Sequence, residues 1–127
     1  MLTGHVSGPV ARRYRLVVKP RGAAGAIAAA LSPNGRVTFV MTARRYGGRW
    51  HEMIGAYATM TGKLITVLAS ASAQYLNGEG YLVPDPSGRH LLVPGFANRN
   101  TAVLDIATHR LSVLHVHYRY PPLGAAW

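Results

Sequence analysis

Residues Ser32–Arg36, with the sequence SPNGR, decide the fold, because a second copy, DPSGR, occupies Asp85–Arg89. Each copy lies between similar apolar runs. Asn34-Gly35 predicts a two-residue type I′ hairpin turn, since both central positions of that turn need positive φ, which Asn and Gly tolerate. Each copy is therefore expected to join two antiparallel strands.

The segments that follow the two copies have the same order of elements. Each reads as strand, turn, strand, loop, strand, turn, strand, and the last turn is THR or TGK in sequence. Four short strands that recur at a period of roughly 45–50 residues are typical of a β-propeller blade. The predicted strands after the turns are 37–42, 54–57 and 64–68 in the first unit, and 91–93, 102–106 and 111–116 in the second.

An SPDGR-like turn followed by a D-x-x-T-G-K-like turn resembles the blade repeat of the WD-repeat-like and YVTN or TolB-type β-propellers. The first unit departs from that pattern, with Asn34 and Ala58 where Asp is expected. The second keeps Asp105 but has His109 in place of Gly. The resemblance covers roughly residues 25 to 117. It bears on the fold more than on function, because these motifs mark turns.

We therefore predict an all-β chain of antiparallel four-stranded meander blades, forming one partial β-propeller domain over residues 1–127. The blade-like units cover approximately 25–69 and 79–117, with half-blade strands at 14–18 and 123–127 on either side. Closed propellers typically have four to eight blades, so two blades leave open strand edges. Self-association or the remainder of a longer protein would cover those edges, and we interpret the chain as a fragment.

Ala23–Leu31 is the most ambiguous segment. Its six alanines around Ile27 suit a helix by propensity. The repeat places it as the first strand of a blade, next to the crowded central axis where small side chains fit. We predict a strand, and a helix is the leading alternative. Residues 1–9, with two glycines and a proline, are expected to be a loose lead-in.

The formal net charge is +10, from fourteen Lys and Arg against four acidic residues. Such a charge attracts polyanions. No basic run is longer than a pair, however, so a dedicated nucleic-acid tail is absent and nucleic acid is the less favoured partner. No apolar run approaches the ~18 residues of a membrane span, and none is predicted.

Motifs for catalysis, metal binding and cofactors are lacking. There is no cysteine, G-x-S-x-G elbow, phosphate-binding loop or H-E-x-x-H, so we predict no enzyme activity and no cofactor. His115 and His117 alternate on a predicted strand, but a third ligand is not visible, and no metal site is predicted. Glu52 and Glu79 are a weak case for acid–base catalysis, because their separation is unknown.

The candidate binding residues lie in the longer loops, which a meander collects at one end of its blades. The middle loop of the first unit, 43–50, is six residues longer than its counterpart, since Gly35 to Gly62 spans 27 positions and Gly88 to His109 spans 21. Arg and aromatic side chains are good binding anchors, because they offer large rigid contact area and planar donors to carboxylate or phosphate. The predicted partner-binding residues are Arg44, Arg45, Tyr46, Arg49, Trp50, Tyr75, Arg99, Tyr118, Arg119 and Tyr120.

The sequence thus favours a non-catalytic binding or scaffold module that presents these loops to a protein, a peptide or an anionic ligand. Three alternatives stay open: a fragment of a propeller enzyme of hydrolase or lyase type, a nonspecific nucleic-acid-binding basic domain, and a chain with no independent function. A structural interpretation of the same residues, as side chains packed on neighbouring blades, carries about equal weight.

Overall fold

The computed structural model describes residues 2–6, 12–16, 25–74, 82–98 and 101–113. These residues form two four-stranded antiparallel sheets and one two-stranded pair. Within these ranges, no helix has the length and hydropathy needed to cross a membrane. The fold is all-β, as predicted.

Each four-stranded sheet is a meander in which neighbours along the chain are neighbours in the sheet. The first sheet consists of β3 (Gly25–Leu31), β4 (Val37–Tyr46), β5 (Arg49–Ala58) and β6 (Leu64–Ala73). The second consists of β7 (Val83–Pro84), β8 (His90–Pro94), β9 (Thr101–Asp105) and β10 (Leu111–Val113), with a short 3₁₀ turn at Phe96–Asn98. Both sheets are open, an arrangement consistent with part of a propeller.

The alanine-rich segment is a strand, and the preference for strand over helix is confirmed. Gly25–Leu31 forms β3 and pairs with β4 along its length, with one irregularity between Ala26 and Ala28. Ala28 and Ala30 pack against the core. Tertiary pairing therefore overrides the helix propensity of the alanines.

The repeat is visible in the backbone hydrogen bonds of the turns. The Gly35 amide donates to the Ser32 carbonyl at 2.8 Å, and the Gly88 amide donates to the backbone carbonyl of Asp85 at 3.0 Å. Further hydrogen bonds match in the same way: the Thr59 amide donates to the Arg36 carbonyl at 3.0 Å, and the Ile106 amide donates to the Arg89 carbonyl at 2.9 Å. Arg36 and Arg89 thus occupy equivalent backbone surroundings in the two units.

The second turns of the two units also correspond. The Gly62 amide donates to the Ala58 carbonyl at 2.8 Å, and the His109 amide donates to the backbone carbonyl of Asp105 at 2.9 Å. Gly62 and His109 have φ of 68° and 59°. His109 is thus a non-glycine residue held in the left-handed region, where the first unit uses glycine.

The type I′ prediction for Asn34-Gly35 was wrong. Among the two residues only Gly35 has positive φ, at 70°. The Ser32–Gly35 hydrogen bond places Pro33 and Asn34 at the centre of the turn, as in type I, and Gly35 follows in the left-handed region. Pro33 explains the difference, because its ring fixes φ near −65°, the value that position i+1 of a type I turn requires.

The N-terminal segment differs from the predicted loose lead-in. Leu2–Val6 forms β1 and pairs antiparallel with β2 (Arg12–Leu16), with Leu2 opposite Leu16. Strand β2 overlaps the predicted half-blade strand at 14–18. The glycines suggested an irregular segment, but β1 pairs with a neighbouring strand. This pairing satisfies backbone N–H and C=O groups that an irregular segment would leave to water.

The core lies between the two four-stranded sheets. The first sheet contributes Phe39, Met41 and Ile54, and the second contributes Leu91, Val93, Phe96 and Leu104, all of them at most 2% exposed. Burial of each such side chain stabilises the fold by about 1.5–3 kcal/mol relative to exposure. This shared core fixes one sheet against the other.

The two units differ in how far the middle hairpin extends. In the second unit, β8 and β9 form five pairs, from His90 opposite Asp105 to Pro94 opposite Thr101. In the first unit, β4 and β5 form ten pairs, from Val37 opposite Ala58 to Tyr46 opposite Arg49. The five additional pairs lengthen the hairpin by about 17 Å, at about 3.4 Å per residue.

Candidate functional site

The candidate site is the tip of the β4–β5 hairpin. Strand β4 is buried on both faces from Thr38 to Ala43, and the next three residues, Arg44 to Tyr46, are exposed. Beyond them the chain reverses through Gly47 and Gly48, whose φ values are 58° and 75°. Positive φ at both central positions is the signature of a type I′ turn, which matches the twist of the flanking strands.

The prediction that residues 43–50 form a loop was therefore wrong. These residues continue the ladder to the pair Tyr46–Arg49, and only Gly47 and Gly48 lie outside it. The two-glycine turn was the signal for this hairpin, because two adjacent glycines adopt the positive φ that both central positions of a type I′ turn require. The arginines are consequently presented by strands and not by a flexible loop.

The register sorts the tip residues onto two faces. Arg44 lies opposite His51 and Tyr46 lies opposite Arg49, so these four side chains share one face, which we call the arginine–tyrosine face. Arg45 lies opposite Trp50 on the other face. Trp50 is only partly exposed, whereas the residues of the arginine–tyrosine face are exposed.

The side chains of the arginine–tyrosine face contact one another. The guanidinium carbon of Arg44 lies 5.8 Å from the ring centroid of Tyr46, a cation–π distance. The Tyr46 and His51 ring centroids are 5.6 Å apart and tilted by 59°. His51 Nδ1 lies 3.3 Å from Oγ of Ser72, on β6. A continuous row of contacts therefore runs from β4 across β5 to β6.

Five of the ten predicted binding residues are brought together here: Arg44, Arg45, Tyr46, Arg49 and Trp50. Sequence reasoning missed His51 and Ser72, which the cross-strand register would have added once the turn was placed at Gly47-Gly48. The other predicted residues, Tyr75, Arg99, Tyr118, Arg119 and Tyr120, lie outside the described residues, as do His115, His117 and Glu79.

No carboxylate neutralises the tip arginines within the described part of the chain. The ion pairs found there are those of His90 with Asp85 and Asp105. The remaining described acid, Glu52, is buried and accepts a hydrogen bond elsewhere. The tip thus carries three guanidinium groups whose charge is open to solvent and to an acidic partner.

Glu52 is a structural link between the sheets. Its side chain is 2% exposed, and its Oε2 accepts a hydrogen bond from the Ala97 amide at 2.6 Å. Burial raises the pKa of Glu52, and the hydrogen bond from Ala97 offsets part of that rise. Ala97 has φ of 55°, an uncommon value for alanine, in the turn that follows β8. Glu79, the other acid considered from the sequence for acid–base catalysis, lies outside the described residues.

A second polar cluster lies at the opposite end of the sheets from the hairpin tip. We call it the tight-turn end, because it holds the short turns at 32–36, 58–63, 85–89 and 105–110. His90 Nδ1 is 3.1 Å from Oδ2 of Asp85, and His90 Nε2 is 3.6 Å from Oδ2 of Asp105. Partial desolvation opposes ionisation of Asp85, but hydrogen bonds from His90, Ser87 and the Arg89 amide outweigh it and lower the pKa of the carboxyl to about 2.

Asp105 holds the second turn of this unit, as its position in the sequence predicted. Its Oδ1 accepts a hydrogen bond from the Thr108 amide at 2.8 Å, and contacts with Thr108 lower the pKa of the carboxyl. Together with the His90 contacts, this joins the two turns of the second unit. The equivalent positions of the first unit are Ser32, Val37 and Ala58, so the charged cluster has no counterpart there.

A cleft of about 370 Å³ opens between the two sheets at the tight-turn end. Its walls include Val37, Phe39 and Ile106. The hydroxyls of Ser32 and Ser87 also line it, but both are used in hydrogen bonds within their own turns. The cleft therefore offers an apolar surface with few groups that would orient a ligand.

Basic residues are not confined to the tip. Four exposed cations lie at or beside the tight turns: Arg36, Lys63, Arg89 and Arg110. Exposed basic side chains are therefore found at both ends of the described sheets. The two ends still differ, because Asp85 and Asp105 lie at the tight-turn end and no described acid is exposed at the tip.

Comparison with known proteins finds no match: no family model, no curated protein and no solved structure is similar to the chain. Within residues 25–74, 82–98 and 101–113, no group of three histidine or acidic side chains is placed to hold a metal ion. The site must therefore be interpreted from its own chemistry.

Proposed function

We propose that the chain is a non-catalytic binding module of two propeller-type blades, which presents the tip of the β4–β5 hairpin to an acidic protein or peptide. The observation that carries the proposal is a set of three exposed arginines at the end of a rigid ladder, without a described carboxylate partner. Arg and Tyr dominate binding hot spots because they combine large contact area with donor groups.

Rigidity of the hairpin favours this function over a purely structural role. Ten cross-strand pairs and a two-residue turn hold the tip, so little conformational entropy is lost when a partner binds. The base of the hairpin is buried in the shared core, and Glu52 ties it to the second sheet. The tip itself is exposed, with Tyr46 66% accessible, and no ion pair with its arginines is found among the described residues.

The test is a binding measurement with a matched control. We expect the triple variant Arg44→Ala, Arg45→Ala, Arg49→Ala to bind a fluorescent Glu-rich peptide at least about tenfold more weakly, as loss of one charge-assisted hydrogen bond of about 1.5–3 kcal/mol implies. The control variant, Arg36→Ala, Lys63→Ala, Arg89→Ala, removes the same charge from the tight-turn end. It should bind within about threefold of the wild type, which is within about 0.7 kcal/mol.

Thermal unfolding of both variants completes the experiment. The tip variant should unfold within a few degrees of the wild type, because exposed substitutions usually change stability by about 0.5 kcal/mol or less. Equal weakening by the two triple variants would show that net charge alone drives binding. Parallel losses of stability and binding in the tip variant would show that the arginines are structural.

A further inference from the structure

Resting on the proposed function, we infer that the arginine–tyrosine face is the recognition surface, and that it selects a phosphoryl group on the partner peptide over a carboxylate. The face comprises Arg44, Tyr46, Arg49 and His51, with Ser72 at its margin. The argument uses the register, the contacts and the donor chemistry of these residues.

The first step is that the face is a single surface. Arg44 and Arg49 lie on neighbouring strands at a diagonal of the ladder, where Cβ atoms are about 7–8 Å apart. Both side chains can therefore reach one group placed above Tyr46. Arg45 cannot share that group, because alternate residues of a strand project to opposite faces.

The second step is that the face is ordered before a ligand arrives. The guanidinium carbon of Arg44 lies 5.8 Å from the Tyr46 ring centroid, the Tyr46 and His51 ring centroids are 5.6 Å apart, and His51 Nδ1 lies 3.3 Å from Oγ of Ser72. Each contact restricts a side chain that would otherwise lose rotamer freedom on binding. This cation–π contact leaves N–H donors of Arg44 available to a ligand, since one ring does not engage all five of them.

The third step is the match between donors and ligand. The face presents two guanidinium groups, a phenol and a hydroxyl, and no carboxylate lies near it in the described part of the chain. A carboxylate has two oxygens, which one arginine fork satisfies. A phosphoryl group has three acceptor oxygens and a charge of about −1.5 to −2 at pH 7, so it can engage a second arginine as well.

The experiment uses the full chain and three peptides that differ at one central position: serine, glutamate and phosphoserine. The flanking residues are acidic and identical. We expect the phosphoserine peptide to bind at least about tenfold more tightly than the glutamate peptide in fluorescence anisotropy, which corresponds to about 1.4 kcal/mol. In an NMR titration, phenyl phosphate should shift the amide signals of Arg44, Arg49 and His51.

Arg45→Ala is the matched control for Arg44→Ala and Arg49→Ala, because it removes the same charge from the same hairpin on the opposite face. Each of the two face variants should lower affinity for the phosphoserine peptide about tenfold, and the control by less than about twofold. Arg44→Lys keeps the charge but loses the planar fork, and should reduce the preference for phosphoserine over glutamate.

Each contrary outcome has a distinct meaning. Equal affinity for the phosphoserine and glutamate peptides, with both bound at the tip, overturns this inference and leaves the proposed function standing. Equal weakening by Arg45→Ala and Arg44→Ala overturns the assignment to one face. Absence of binding by any acidic peptide overturns the proposed function too. Tighter binding of a single-stranded oligonucleotide, with steep salt dependence, would assign the face to nucleic acid instead.

Discussion

Substitution of Glu52 gives the sharpest test of how the two sheets are held together. Glu52 is 2% exposed and accepts the Ala97 amide hydrogen bond at 2.6 Å, between β5 and the turn after β8. Glu52→Ala removes the acceptor and leaves the Ala97 amide without its partner, at a cost of about 1–3 kcal/mol. At roughly 4 °C per kcal/mol for a domain of this size, the midpoint of thermal unfolding should fall by about 4–12 °C.

Glu52→Gln separates the charge from the hydrogen bond, because the amide oxygen still accepts from Ala97 and cannot ionise. Burial raises the pKa of Glu52 in the folded state, so the folded protein holds this proton more tightly than the unfolded chain. The stability that this proton contributes is fully present below the unfolded pKa near 4.5 and is lost as pH rises through the folded pKa. The Glu52→Gln variant has no proton to lose at this position, so its stability does not fall with pH for this reason.

We therefore expect the stability of Glu52→Gln relative to the wild type to increase as pH rises from 4 to 7. Circular dichroism melts of the wild type and both variants across this range measure the effect. The comparison of wild type with Gln isolates Glu52, since all other titrating groups are shared. A Gln variant as unstable as Ala at every pH, or one whose stability relative to the wild type falls as pH rises, would refute the reasoning.

Three other predictions test the turns and the sheet edges. Gly48→Ala should destabilise the protein by about 1–2 kcal/mol because Gly48 has positive φ, since an added Cβ meets nothing within 4 Å. Gly25 is equally open in space but has no positive φ, so Gly25→Ala is the control and should not destabilise the protein in this way. Equal denaturation midpoints for the two variants would contradict this prediction. Asp85 has a folded pKa of about 2 against an ordinary value of 3.8, so its contribution to stability is present above pH 4 and lost as pH falls towards 2. Acid titration of Asp85→Asn should lack this part of the wild-type slope, and an unchanged slope would show that the carboxyl does not stabilise the turn. Among the described strands, β3 and β6 are the edges of the first four-stranded sheet and β7 and β10 those of the second, so sedimentation velocity should show concentration-dependent self-association through open edges. A monomer at every concentration would count against this prediction.

The duplicated turns made much of the fold predictable from sequence. Pro33 and Pro86 with the following glycines restrict the backbone, and both turns form the same backbone hydrogen bonds although their side chains differ. The strand at Gly25–Leu31 was predictable only through the repeat, because alanine propensity points to a helix. The resemblance to WD-repeat-like and YVTN or TolB-type propellers stays a prediction.

The candidate site was predictable in composition and not in geometry. Arg44, Tyr46 and Arg49 were identified from residue type, but their presentation on strands depended on Gly47-Gly48, which was interpreted as part of a loop. The links through Glu52 and His90 join positions 45 and 15 residues apart, Glu52 to Ala97 and His90 to Asp105. The contact of Glu52 with Ala97 depends on how the two sheets pack, and the contact of His90 with Asp105 depends on the register of β8 and β9, neither of which local patterns encode.

The ten-pair ladder has a consequence for how this protein could change. Inserting one residue into each of β4 and β5 below the tip adds one cross-strand pair and reverses which face each tip residue points to, so that Arg45 and Trp50 would occupy the position that Tyr46 and Arg49 have now. Inserting two residues into each strand restores the original facing and moves the tip outward by about 7 Å. An even number of added pairs therefore preserves the contacts among Arg44, Tyr46 and His51, whereas the contact of His51 with Ser72 is lost unless β6 is lengthened as well.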